Sequence, residues 1–114
     1  MIEQYQVTIR SQMGPREGVL TLSYQGCYIT GSLELVGYVN TVQGVRAADG
    51  TIHLFHPIQT VVSTIPCETV LNLRAGSLRG ASTSRSARMR WEGTLLRQGP
   101  QETCRQQTRE ESKL

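Results

Sequence analysis

The sequence predicts an all-β fold, a small antiparallel up-and-down β-barrel of about eight strands. Three observations carry that expectation. Alternating apolar and polar runs recur along the chain, and Gly, Pro or Asp-Gly punctuates the gaps between them. No stretch sustains a helical period. The composition agrees, with 11 Gly, 38% hydrophobic residues and only 5% aromatic ones, so the core has to be built from Val, Leu and Ile.

The organising stretch is Gly14 to Leu35, GPREGVLTLSYQGCYITGSLEL, which reads as a strand, a reversal at Gln25-Gly26 and a second strand. Before it, residues 2–10 alternate with Tyr5, Val7 and Ile9 on one face, and Ser11 to Glu17 reads as a turn. Val19 to Tyr24 offers Leu20 and Leu22 to the core. Cys27 to Leu35 offers Ile29, Gly31, Leu33 and Leu35, with mid-strand Gly31 marking a bend. Tyr38 to Ala47 follows, and Asp49-Gly50 is the strongest hairpin signal of the chain.

Thr51 to His56 puts Ile52, Leu54 and His56 on one face, and Pro57 limits it or places it at an edge. Gln59 to Ile65 is β-branched and extended, closed by Pro66, and the stretch between Pro57 and Glu68 has room for a short helical turn. Thr69 to Arg74 turns at Ala75-Gly76 and continues through Leu78. Ala87 to Leu96 is the last strand, with Met89, Trp91 and Gly93 inward. VLTLSYQGCYITGS (19–32) and VLNLRAGSLRGAS (70–82) echo one another as hairpins with a second Gly a few residues past the reversal. The barrel domain is expected over 1–96. Residues 97–114, RQGPQETCRQQTREESKL, hold too little apolar surface to offset the entropy of ordering and read as a disordered polar tail.

The formal net charge is +3, and eleven of the 12 basic residues are Arg. That balance does not suggest nucleic-acid binding. Cys27, Cys67 and Cys104 are widely spaced without a CxxC pair, and the chain opens directly on a strand pattern, so free thiols in a cytoplasmic setting are expected. No apolar run has the length of a membrane span. Ser112-Lys113-Leu114 would be a peroxisomal address only in a eukaryotic source.

No catalytic or cofactor motif is present. His53 and His56 fall on opposite faces of one strand and cannot chelate a common metal. Asp49, His53 and the serines form no triad around a G-x-S-x-G elbow. Two site readings remain. Tyr5, Tyr28, Tyr38, His56 and Trp91 are candidates for polar handles inside a ligand-binding barrel, against the plainer reading that they fill the core. Arg85, Arg88 and Arg90, with the flexible Ser82-Thr83-Ser84, are candidates for anion capture, against a solvated strand face.

QMGPREGVLTL, the ITGSLEL strand, the DG hairpin and MRWEGTLL together resemble a family of small bacterial β-barrel proteins whose sequences run TPMGPxEGTLTL…LTGTL…DG…FxGT. The resemblance covers residues 2–96 and rests on structural glycines. It implies a calycin-type barrel, found alone or attached to larger proteins, and implies no activity. Arg- and Ser-rich SLRGASTSRSARMRW departs from it. A more distant likeness is to lipocalin-like repressors of type III secretion regulons, which dimerise and sequester an activator; ITGS stands where their turn carries ITGG.

The expected function is therefore a non-enzymatic module holding a small apolar or amphipathic molecule, with no cofactor. The alternative is a filled barrel that acts through protein contacts, as a homodimer or by sequestering a partner. A ligand barrel requires small residues such as Gly31, Gly44 and Gly93 to leave a void, whereas an interaction module requires an exposed apolar patch.

Overall fold

A computed structural model describes residues 1–12, 14–59, 63–85 and 87–99. Among them every regular element is a strand: β1 Ile2–Ser11, β2 Gly14–Gln25, β3 Tyr28–Leu35, β4 Tyr38–Arg46, β5 Ile52–Gln59, β6 Thr64–Arg74, β7 Ser77–Thr83 and β8 Arg88–Gly99. Each pairs antiparallel with the next, and β8 returns to β1, so the sheet is a closed up-and-down barrel. Closure leaves no continuous edge for another chain to pair with.

Inward residues follow the period of two. Tyr5, Val7 and Ile9 of β1, Leu20 and Leu22 of β2, Ile29, Leu33 and Leu35 of β3, and Ile52, Leu54 and Ile58 of β5 are buried. Val42, Leu71, Leu78 and Trp91 complete an interior with no exposure at those four positions. Each such aliphatic side chain contributes roughly 1.5–3 kcal/mol of burial. The interior is packed with side chains.

The mid-strand glycines have a different role from the one expected of them. A Cβ on Gly31 would overlap the carbonyl oxygen of Thr21, and one on Gly44 would overlap that of His53. Gly18, Gly80 and Gly93 meet neighbouring carbonyls in the same way. These positions leave no void. They let a coiled strand press against the next backbone where the barrel turns its corners.

Several boundaries move. β2 begins at Gly14, with Ser11 facing Gly14 and Arg16 facing Ile9, so most of the expected turn is strand. The β2–β3 reversal is Gly26-Cys27, flanked by the Gln25–Tyr28 pair. Val36-Gly37 and Ala75-Gly76 have positive φ at both residues, as a two-residue primed turn demands. Asp49-Gly50 belongs instead to a three-residue loop closed by Ala47 N–H donating to Thr51 O at 2.8 Å, with Gly50 left-handed.

Pro57 does not end β5. It faces Pro66 within the β5–β6 ladder, which continues to Gln59–Thr64. The described residues between Pro57 and Glu68 contain no helical turn. β7 runs to Thr83, well past Leu78. β8 passes Leu96, which stands out of register at a bulge opposite Gln4-Tyr5, and continues to Gly99 opposite Ile2. The polar tail thus contributes its first three residues to the barrel. Its remainder, with Cys104 and the C-terminal Ser-Lys-Leu, lies outside the described residues.

Candidate functional site: the apolar mouth

In an up-and-down barrel, alternate connections share an end. The β1–β2, β3–β4, β5–β6 and β7–β8 connections here rim one mouth. Beneath them lies a cup of about 290 Å³ lined by Ile9, Leu35, Tyr38, Ile58, Ile65 and Met89, with Gln12, Arg16, Gln59 and Ser84 at its polar margin. That volume sits at the lower bound of the roughly 300–1,000 Å³ usual for small-molecule sites.

Arg16 occupies the inward phase of β2. It pairs directly with Ile9 across the β1–β2 ladder, two residues from Gly18 and four from buried Leu20. Cross-strand partners present their side chains to the same face. Arg16 is exposed and lines the cup from its rim, above an aliphatic floor.

One layer deeper the interior carries its polar groups. His56 Nδ1 lies 3.0 Å from the carbonyl oxygen of Pro57, His56 Nε2 lies 2.6 Å from Thr69 Oγ1, and Thr69 Oγ1 lies 2.5 Å from Ser82 Oγ. A carbonyl only accepts, so Nδ1 carries the proton. Nε2 then accepts from the Thr69 hydroxyl, and Thr69 accepts from Ser82. Burial holds the His56 pKa below its usual value, partly opposed by the Pro57 carbonyl. The Trp91 ring meets the His56 ring edge-on, 5.7 Å between centroids and 69° between planes. The buried Trp91 Nε1 has no hydrogen-bond partner among the described residues. Buried Asn40 completes the layer, donating from Nδ2 to Leu33 O at 3.3 Å and accepting Gln59 N–H at 3.2 Å.

The opposite end is closed by a different cluster. Tyr24 and Tyr5 both donate to Glu3 Oε1, at 2.7 and 3.2 Å, and Gln98 Nε2 donates to Glu3 Oε2 at 3.3 Å. The Arg46 guanidinium stacks 5.0 Å over the Tyr24 ring. Burial foremost, then Glu3, pushes both phenol pKa values well above the usual range.

The five candidate handles therefore separate. His56 and Trp91 come together inside the barrel, Tyr38 lines the mouth, and Tyr5 belongs to the closed end. Tyr28 is a correction: it projects outward from the start of β3 and is 68% exposed, because alternation puts it on the face opposite its inward neighbour Ile29. Arg88 and Arg90 share the outer face of β8 beside Val70, Asn72 and Ala81. Arg85 sits apart from them, in the β7–β8 connection beside Thr83 and Ser84. Arg90 and Arg10 both reach Glu92 Oε2, at 3.7 and 3.1 Å, so the outer face of β8 is partly neutralised. His53 is half-buried on the outward phase and His56 is inward. Among the described residues no group of three His, Cys, Asp or Glu could hold a metal.

Sequence reasoning placed Ile9, Leu35 and Met89 inward without assigning them to a site, and missed Ile58, Ile65 and the rim cation Arg16. A usable signal existed: each is an inward-phase residue next to an odd-numbered connection, and such residues converge at one end of a meander. No family model, curated protein or solved structure matches the chain.

Proposed function

We propose that the protein is a non-enzymatic binding barrel whose mouth takes a small amphipathic anion, with its apolar body on Ile9, Leu35, Ile58 and Ile65 and its head group on Arg16. The observation that carries this reading is a largely aliphatic cup of about 290 Å³ with the exposed cation Arg16 among its lining residues. Packed side chains below the cup restrict the ligand to a compact molecule and exclude a long lipid threaded through the barrel. His56, Thr69 and Ser82 satisfy one another below the cup, and Asn40 is held by Leu33 O and the Gln59 N–H, so this polar layer serves as a rigid floor.

Trp91 is the only tryptophan, and it lies directly opposite Ile9 in the β1–β8 ladder. Its emission therefore reports on the cup. Titration with decanoate is expected to give a saturable change in Trp91 emission at one equivalent per chain. Arg16→Glu weakens it at least tenfold, and Ile65→Glu abolishes it. A non-saturating response, or identical curves for all three proteins, would rule the reading out.

A further inference from the structure

The outer wall concentrates positive charge on β7 and β8. Arg79 of β7 and Arg88 and Arg90 of β8 are exposed on the outward phase, and Glu92 is the only carboxylate on either strand. Arg10 faces Arg90 across the β1–β8 ladder and engages that carboxylate: its Nε donates to Glu92 Oε2 at 3.1 Å, while Arg90 Nε lies 3.7 Å from the same oxygen. The Nη amino groups of Arg90 have no acceptor among the described residues, and Arg88 has no ion pair among them. Glu68 of β6 is kept from Arg88 by Thr83, which stands between them in register. Like charges directly opposite one another, as Arg10 and Arg90 are, destabilise a sheet unless anions offset them. One shared carboxylate offsets only one of the two, and Arg88 adds a further charge about 7 Å along the strand.

Beside these cations runs an open trough of about 550 Å³, lined by Val70 and Asn72 of β6, Gly80 and Ala81 of β7, and Arg88 and Arg90 of β8. Gly80 and Ala81 put no long side chain over β7, so the floor stays low between the two walls. The lining carries two positive charges and no negative one. We infer that this trough binds a small organic phosphate, its phosphoryl group on Arg88 and Arg90 and its body across Ala81 against Val70 and Asn72. Guanidinium forks match the oxygens of a phosphoryl group, an interaction that a neutral ligand cannot make. Val70, 39% exposed, and the Ala81 methyl offer the body apolar contact, and the exposed amide of Asn72 can donate to or accept from a hydroxyl. The volume falls within the roughly 300–1,000 Å³ of small-molecule sites, so a bare ion would leave most of it unused. The trough shares no lining residue with the mouth, and the inference stands independently of what the cup binds.

Titration of the isotope-labelled chain with phenyl phosphate, followed by NMR, tests this. Saturable shifts are expected at the Gly80 and Ala81 amides and at the Val70 methyls. Arg88→Gln and Arg90→Gln each weaken binding about fivefold, and the double variant abolishes saturation. Both side chains are exposed, so the fold is kept, which the unshifted remainder of the spectrum verifies. Arg97→Gln, at an exposed arginine near the other end of β8, leaves the dissociation constant unchanged. Phenol, which lacks the phosphoryl group, gives no saturable shift, and inorganic phosphate, which lacks the body, binds more weakly than phenyl phosphate. Shifts that never saturate, an Arg97→Gln loss equal to that of Arg90→Gln, or a phenol response matching that of phenyl phosphate each overturn the inference. Inorganic phosphate binding as tightly as phenyl phosphate overturns the assignment of an organic body.

Discussion

Asn40 reaches across a seam that its own strand leaves open: its Oδ1 accepts the backbone N–H of Gln59 at 3.2 Å, beyond the last β4–β5 pair at Gln43–Phe55. The β6–β7 ladder likewise ends at Glu68–Thr83. The mouth-side part of the β5–β6 hairpin therefore lacks ladder pairing to β4 and β7. Side chains hold it there: Asn40 by hydrogen bonds, and Ile58 by apolar contact. Pro57 and Pro66 lie on this projecting segment, and neither can donate to an added strand, which blunts its edges.

Asn40→Ala removes this clip and its part-buried hydrogen bond to the Gln59 N–H, at a cost of about 0.5–1.5 kcal/mol. Urea denaturation reads the loss. Amide exchange at Gln59 is expected to accelerate by more than global destabilisation explains, because the clip is local. Equal acceleration throughout the barrel would count against a local role.

Gly44→Ala is expected to destabilise by about 3 kcal/mol or more, since the added Cβ meets backbone and no flexible side chain can yield. Gly99→Ala, where nothing lies within 4 Å, serves as the comparison and changes stability by less than about 0.5 kcal/mol. Thermal melts of the two variants separate a packing constraint from a general dislike of alanine at glycine sites.

His56 links stability to pH. Its folded pKa is depressed by burial, below the ordinary 6.5, so between the two values the unfolded chain binds the extra proton. Stability is fully present above about pH 6.5 and falls as pH drops toward the folded value, by at most about 1.4 kcal/mol per unit. Protonation would also force the Thr69–Ser82 hydroxyl chain to reverse. His56→Gln keeps one acceptor for Thr69 and one donor for Pro57, and its stability between pH 7 and 5 is expected to vary less than that of the wild type. Parallel pH profiles of the two proteins would exclude His56 as the source.

Tyr5 and Tyr24 set the alkaline limit. Their folded pKa values are raised by burial and by Glu3, so their contribution is complete below pH 10 and is lost as pH rises above it. Phenolate absorbance of the folded protein should miss both groups at pH 11 and recover them on unfolding. Glu3→Gln removes the carboxylate and brings their ionisation to lower pH. A full complement of phenolate at pH 11 in the folded state would contradict the cluster.

The barrel was legible because its physics is local. Period-two alternation around Tyr5-Val7-Ile9, Leu20-Leu22 and Ile52-Leu54-His56 assigns each side chain to a face, and Gly or Asp-Gly marks the reversals between strands. Of the two readings of Pro57 the edge one holds: β5 does not end there, but the β5–β6 hairpin projects beyond its pairing with β4, where the lost N–H carries little penalty. Tyr28 misled because its residue type suits a barrel interior, although alternation with inward Ile29 already sets it on the outer face. Arg97 to Gly99 looked too polar to order, yet β1 was waiting to pair with them.

The sequence by itself determined an all-β meander, an aliphatic core and the inward phase of most strands, because alternation and turn chemistry act within a few residues. Only the tertiary structure decided that Gly31 and Gly44 hold backbones together instead of leaving a cavity, since the neighbour they touch belongs to another strand. It also decided that His56 meets Thr69, Ser82 and Trp91, and that Arg16 stands over Ile9 at the mouth. Those contacts depend on register summed around a closed sheet, and closure is a property of all eight strands at once.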